Sequence, residues 1–201
     1  ILVEGILMEV KMKIVEEVRK FVEEECKKPT SNYGADSYEH MIYVYHNVKV
    51  LAERFDADLD LEVVKLAALL HDIGSIIVER KDHHITGAEI AEKKLRELNY
   101  PEEKIELVKK CILNHRGSVN NGRESAEEQI LADADAMAAF DNIDGLFMAA
   151  LVYEKRERVD ARKSVLNKVI NSYNKLSPEA REMAKPKYEA AMLLLDMKNA
   201  N

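Results

Sequence analysis

At 201 residues, with 47% hydrophobic and 33% charged residues, the chain can bury one large core without disulfide staples. Seven glycines and four prolines are few turn-formers beside abundant Ala, Leu, Glu and Lys, so the expectation is an all-α protein, a single-domain helical bundle over residues 1–201. The formal net charge of −7 argues against a nucleic acid polymer as partner, and no apolar run nears the roughly 18 residues that a membrane span needs.

In chain order, Leu7, Val10, Ile14, Val18 and Phe21 recur at helical spacing and predict a packing helix from about Ile6 to Lys28, ended by Pro29-Thr30-Ser31-Asn32. The opening Ile1-Leu2-Val3 has no basic segment ahead of a cleavage site, so no signal peptide is expected. Cys26 and Cys111 lie far apart and outside any CxxC pattern, which suits a reducing, cytoplasmic setting. A second helix, Tyr38 to Arg54, carries the stripe Met41, Val44, Val48 and Leu51, with His40 on its edge. His46 lies about 240° further round and is expected to be a surface or packing residue. After a turn at Asp56-Ala57-Asp58, a helix from Leu61 to Asp72 is apolar on nearly every side and should be the most buried element. Ser75 to Asp82 reads as a link.

Two start signals compete for the next helix, which continues to Leu98: Asp82 as N-cap, or Thr86-x-x-Glu89 as a capping box. The first places His84 on a buried row with Ala88, Ala91, Leu95 and Leu98 and turns His83 toward solvent; the second leaves both histidines in a loop. Asn99-Tyr100-Pro101-Glu102-Glu103 opens a further helix, whose row Ile105, Val108, Ile112 brings His115 to the core side. Arg116 to Arg123 is a polar loop. Glu127 to Ala139 is helical, with Leu131, Asp135, Ala138 and Ala139 on one face, so Asp135 needs an internal partner. Asp133, about 200° away, is expected to be solvated. A helix from Ala161 to Leu176 and a last one from Ser177-Pro178-Glu179 to about Met197, kinked at Pro186, complete the pattern.

Chemistry gathers around Leu69-Leu70-His71-Asp72-Ile73-Gly74, where a buried helix ends in an imidazole and a carboxylate. Two such groups at the tip of a buried helix are costly unless something pairs with them. A divalent ion would do so, since neutral imidazole and carboxylate are ordinary ligands for transition metals. The plainer reading is a terminal His bonded to a carbonyl and an Asp capping the next turn. Counted together, His40, His71, Asp72, His83 or His84, His115 and Asp135 lie on or beside apolar stripes of separate helices. Core packing alone rarely collects that many ionisable groups.

The order His40 … His71-Asp72 … Asp135 resembles the HD-domain superfamily of metal-dependent phosphohydrolases. Leu70-His71-Asp72-Ile73-Gly74 is close to its central motif, and Asp133-Ala134-Asp135-Ala136-Met137 is similar to its closing segment. His83-x-x-x-Gly87-Ala88 and Asn114-His115-Arg116-Gly117 also match, and this register favours His83 over His84. The match covers roughly 36–141, an HD core that the N-terminal packing helix and the helices of 146–201 would complete. Ser164 … Lys168 … Ala180-Arg181 extends the similarity toward the nucleotide-hydrolysing subgroup. That subgroup often has Arg where this chain has Tyr43, and its spacing fits Lys168 and Arg181 only approximately.

The resemblance implies a divalent metal ion (Mn, Mg, Fe, Co, Ni or Zn) held by His40, His71, Asp72 and Asp135. Asp72, His83 and His115 would then serve catalysis, and Arg116, Lys168 and Arg181 would bind substrate. The implied reaction is hydrolysis of a phosphoester or phosphoanhydride in a small phosphorylated substrate, a nucleotide by subgroup, through a metal-activated water. A di-iron HD-fold oxygenase and a non-catalytic nucleotide or metal sensor are the alternatives. A homo-oligomer is compatible with the sequence.

Overall fold

Ten α-helical segments and one π-helical turn organise the described residues, 2–55, 59–116 and 122–195 of a computed structural model, with side chains from residue 13 onward. They are α1 (Leu2–Lys27), α2 (Ser37–Arg54), α3 (Leu61–Leu70), α4 (Ile73–Ile77), α5 (His83–Glu97), α6 (Glu102–Asn114) and α7 (Ala126–Asp141). After these come α8 (Ile143–Met148), the π-helical turn Ala149–Tyr153, α9 (Arg158–Lys175) and α10 (Pro178–Leu195). No strand occurs among the described residues, so the all-α expectation holds. Among them, no single helix is long and apolar enough to cross a membrane.

The central helix starts where Asp60 turns its carboxylate back to accept the amides of Glu62 (3.2 Å) and Val63 (3.3 Å). It packs against α1, α2, α6 and α7, and Val63, Val64, Leu66, Ala67, Ala68, Leu69 and Leu70 have no exposed surface. The expected helix to Asp72 instead stops at Leu70, and the expected link contains α4. The Asp72 carbonyl makes this break by accepting both the Ser75 amide (2.9 Å) and the Ser75 hydroxyl (2.7 Å), which starts a new turn.

The most buried helix is α7 rather than α3: thirteen of its sixteen residues are buried, against seven of ten. Four of the thirteen, Glu127, Glu128, Asp133 and Asp135, are acidic, and the first three are satisfied by amide groups. Glu127 accepts the Asp60 amide (3.0 Å), and Glu128 accepts the Asn114 side chain (2.9 Å). Asp133, expected in solvent, is 1% exposed because it accepts the Ser177 amide (2.9 Å) at the start of α10 and the Gln129 side chain (3.0 Å). Hydrophobic periodicity counts such residues as outward-facing, so it cannot anticipate a carboxylate used as a buried helix cap.

The helices outside the central group share its core. Val18, Val22 and Cys26 of α1 and Ala180, Ala184, Ala191 and Leu195 of α10 belong to the same hydrophobic cluster as α3. Cys26 and Cys111 are both fully buried and free. The last helix runs through Pro186. The Asp56–Asp58 turn, Gly117–Asn121 of the polar loop, the side chains of Leu7 and Val10, and the expected helix end at Met197 lie outside the described residues.

Candidate metal centre

Three of the histidines stand at helix ends. His71 follows the last residue of α3, His83 is the first residue of α5, and His115 follows the last residue of α6. Each ring Nδ1 lies on the backbone carbonyl three residues earlier: His71 on Ala68 (2.8 Å), His83 on Arg80 (2.7 Å) and His115 on Ile112 (2.6 Å). A carbonyl can only accept, so every Nδ1 carries the proton and, in the neutral ring, every Nε2 presents a lone pair. Two close encounters result, His40 Nε2 to His71 Nε2 at 3.2 Å and His83 Nε2 to His115 Nε2 at 3.3 Å. Facing lone pairs repel unless a proton or a cation lies between or beside them.

The carboxylates complete the cluster. Asp72 Oδ1 is 3.1 Å from His83 Nε2 and 3.8 Å from His115 Nε2, while its Oδ2 is 3.6 Å from His71 Nε2 and 3.7 Å from His40 Nε2. Asp135, from the middle of α7, places Oδ1 at 3.5 Å from His40 Nε2 and 3.9 Å from His71 Nε2. Its Oδ2 accepts from Lys175 at 2.7 Å. Two triads, His40-His71-Asp72 and Asp72-His83-His115, could each hold a metal ion, with Asp72 common to both. Neutral imidazoles with carboxylates are the donor set that Mn, Fe, Co, Ni and Zn accept, so the residues fit such an ion.

Electrostatics favour the same protonation states. Burial pushes His71 down, and burial with the neighbouring His71 pushes His115 down to about 3. Burial would raise Asp72, but the surrounding His71, His83 and His40 hold its carboxyl well below the usual range. Burial likewise opposes ionisation of Asp135, and Lys175 and Lys168 overrule it. His83 alone is raised: burial lowers it, but the Asp72 carboxylate more than compensates. The wall is therefore anionic at the oxygens, and His71 and His115 keep their Nε2 lone pairs free of a proton.

Close helix contact sets the geometry. A Cβ on Gly74 would collide with the His83 carbonyl and lie 2.6 Å from the Gly87 amide. One on Gly87 would lie 3.5 Å from the His71 carbonyl. The contact at Gly87 is an ordinary one, so it is the bare position at Gly74 that lets α5 approach the His71-Asp72 break closely enough for His83 to meet Asp72. His83 is 9% exposed, whereas His84 is half-buried and turned to Arg116, 3.3 Å from Nδ1 to Nη1. His83, not His84 as helical phase predicts, is therefore the inward-facing histidine. The buried lane runs His83-Gly87-Ala91, and glycine gives that lane no apolar signal.

His40, Asp72, His83, His115 and Asp135 line a cavity of about 720 Å³, with Arg116, Lys168 and Lys175 also on its surface. Arg181 is absent from this lining. Its guanidinium donates to the carbonyls of Asn174 (2.9 Å) and Leu176 (3.3 Å) and lies over Tyr173, closing the end of α9. His46 is exposed on α2, and Tyr43 is also at the surface. Lys175 escaped the sequence reading, although it lies seven residues after Lys168 and so on the same face of α9. Arg80, Tyr33 and Tyr153 also line the cavity without any pattern in the sequence to announce them.

The HD-domain family model matches residues 37–139. The chain belongs to the HD-domain family. The HD dipeptide is His71-Asp72, and the matched span contains both triads and Asp135 but neither Lys168 nor Lys175. The fold agrees with two solved HD proteins. An HD-superfamily hydrolase from Bacillus thuringiensis superposes with TM-score 0.66 at 18% identity, covering 92% of this chain and 94% of that one. A predicted HD-superfamily hydrolase from an uncultured Thermotogales bacterium gives 0.59 at 24% identity, covering 90% and 88%. In sequence, the chain is 30% identical over 155 residues to a tRNA (cytidine(56)-2'-O)-methyltransferase of Thermoplasma volcanium. That similarity covers 71% of this chain, which spans only 44% of the methyltransferase's length.

Proposed function

We propose that this HD-domain protein is a metal-dependent phosphohydrolase of the nucleotide-hydrolysing kind, cleaving a phosphoester or phosphoanhydride bond in a small molecule. The observation that carries the reading is the set of imidazoles locked by backbone carbonyls into Nε2 donors, converging with Asp72 and Asp135 on one wall of a cavity lined elsewhere by lysines. His40, His71, Asp72 and Asp135 are the ligands of the ion. A bound divalent ion supplies an activated water near neutral pH and offsets charge on the phosphoryl group.

The protein's own groups do the rest. Asp72 bridges the ligand set and the histidine pair, so it fixes where His83 and His115 stand relative to the reacting phosphorus. His83 holds a proton at Nε2 beside Asp72 and hands it to the leaving oxygen, while His115 orients a phosphate oxygen. Lys168 lines the cavity and makes no hydrogen bond or ion pair with any described residue, which leaves its ammonium for a phosphate. Arg116, held to the Lys81 carbonyl at 2.8 Å, is a second phosphate-facing cation. The role expected of Arg181 passes to Lys175. Residues 1–201 act as one domain on this reading, because α9 supplies the cavity and α1 and α10 share its core. The buried free thiols support a reducing, cytoplasmic setting.

The second triad favours one competing chemistry, a di-iron oxygenase with an ion in each triad. The deciding experiment loads the protein with one divalent metal at a time and screens a nucleotide panel, with phosphate and pyrophosphate release measured separately. Release that depends on metal supports the hydrolase. Iron in the purified protein, with a product formed only in the presence of O2, supports the oxygenase instead.

A further inference from the structure

The cavity lining also carries an aromatic rim drawn from three separate segments, one of which bonds His83 through the Arg80 carbonyl. Tyr33 comes from the loop before α2, Arg80 from the loop before α5, and Tyr153 from the end of the π-helical turn. The two tyrosine rings meet edge to face, with centroids 5.8 Å apart and planes at 60°. The Arg80 guanidinium lies over the Tyr33 ring, 5.9 Å from its centroid, with Nη1 3.5 Å from the Tyr33 hydroxyl. Glu154 pairs with both Arg80 and Arg156, so it offsets only part of the charge beside the Tyr33 ring. Gly34, at φ +62°, lies so close to the Tyr153 hydroxyl that a Cβ there would overlap it. The rim is thus a built structure: its loop needs glycine both for its backbone angle and for the space the tyrosine occupies.

A phosphate needs only the histidine, aspartate and lysine wall. A cavity of about 720 Å³ also admits a body of drug or nucleoside size. Half-buried aromatic side chains with a guanidinium beside them are good partners for a flat, π-rich ring.

We propose that Tyr33, Arg80 and Tyr153 form a stacking rim for the heterocyclic base of a nucleoside phosphate, and so make the base the feature that this cavity selects. The assignment rests on the phosphohydrolase reading for the position of the phosphate, but its own content is the preference for a base. Adenosine 5′-monophosphate and ribose 5-phosphate carry the same phosphate on the same sugar and differ by the base, so they isolate it. With Mn2+-loaded protein, kcat/KM should favour the nucleotide, and Tyr153→Leu should shrink that ratio about 10-fold, mostly through KM. Tyr153→Phe should keep the ratio, because it retains the ring.

A wild-type enzyme without preference between the two compounds, or a Tyr153→Leu variant that loses both activities in equal measure, would overturn the rim. Should neither compound be hydrolysed, the phosphohydrolase reading is what fails. Calorimetric titration with the same two compounds then decides the rim: tighter nucleotide binding that Tyr153→Leu removes supports it, and equal binding overturns it.

Discussion

The two walls of the cavity are built in different ways. The histidine wall is tied to backbone: three rings are braced on carbonyls three residues earlier in the chain, and Gly74 lets two helices meet closely. The rest of the lining is side chain on side chain, with long lysines from α9 and tyrosines from a loop and a π-helical turn. Backbone bracing fixes atoms to the tolerance that metal ligation and proton transfer require. Side-chain contacts leave room to change what is bound without disturbing the reaction. On the proposed reading the chemistry sits on the wall that the HD match covers, and selectivity largely on side chains that lie outside it.

Changes to the braced wall should be the most damaging. Asp72→Asn removes a charge shared by both triads, and turnover should fall by about 10³-fold while the fold is kept. Metal content and phosphate release check this, and a variant with full metal content and activity would show that Asp72 is no ligand. His83→Ala should cost about 10²-fold in turnover without loss of the first metal, while His84→Ala should act mainly through stability. The reverse outcome in folded, metal-loaded variants would mean that the site uses His84.

Gly74→Ala tests the bracing itself. Its methyl would meet backbone that cannot move aside, so a loss of about 2–3 kcal/mol is expected from denaturant unfolding. Gly122→Ala is the control, since nothing lies within 4 Å of a Cβ there. Lys175→Met bridges the two walls. Without its cation Asp135 keeps its place but loses its main electrostatic support, and metal affinity should weaken about 10-fold by calorimetry.

The smallest effect lies far from both walls. Burial would raise Asp60, but Lys104 at 2.6 Å and the two capped amides hold its carboxyl below the ordinary range. A carboxyl depressed in the folded state adds stability above its unfolded pKa of about 3.9 and loses it as pH falls through the folded value. Lys104→Met should therefore lower stability at pH 7 by no more than about 1 kcal/mol, the pair being partly exposed. The difference in Tm between variant and wild type should close below about pH 4. A gap that persisted at pH 2 would have to come from packing.

How far the sequence discloses this molecule depends on what each residue shows to a pattern of hydrophobicity. His115 and Asp135 were legible because apolar neighbours repeat on their own faces, and His71-Asp72 because a helix apolar all round ends there. His83 was not legible by phase, since its lane passes through Gly87, and the choice came from resemblance alone. Asp133 and Glu128 were misjudged or passed over because a buried acid capped by an amide looks the same in sequence as a solvated one. The α8 segment and the π-helical turn carry no strong period, and with them Tyr153 stayed hidden. The long contacts from α9 to α7 that make Lys175 a partner of Asp135 depend on how helices cross, which local spacing does not encode.

The two buried thiols have a practical use. Burial raises both pKa values and seals both sulfurs, so neither should react with a thiol reagent while the native packing persists. Labelling can then report only on molecules that have opened. Cys26 rides on α1, outside the HD match, and Cys111 on α6, inside it, so the chain carries one stopwatch in each part. Equal labelling rates would mean that both parts open in a single cooperative event. A faster Cys26 would mean that the N-terminal helix peels away while the part covered by the HD match stays shut.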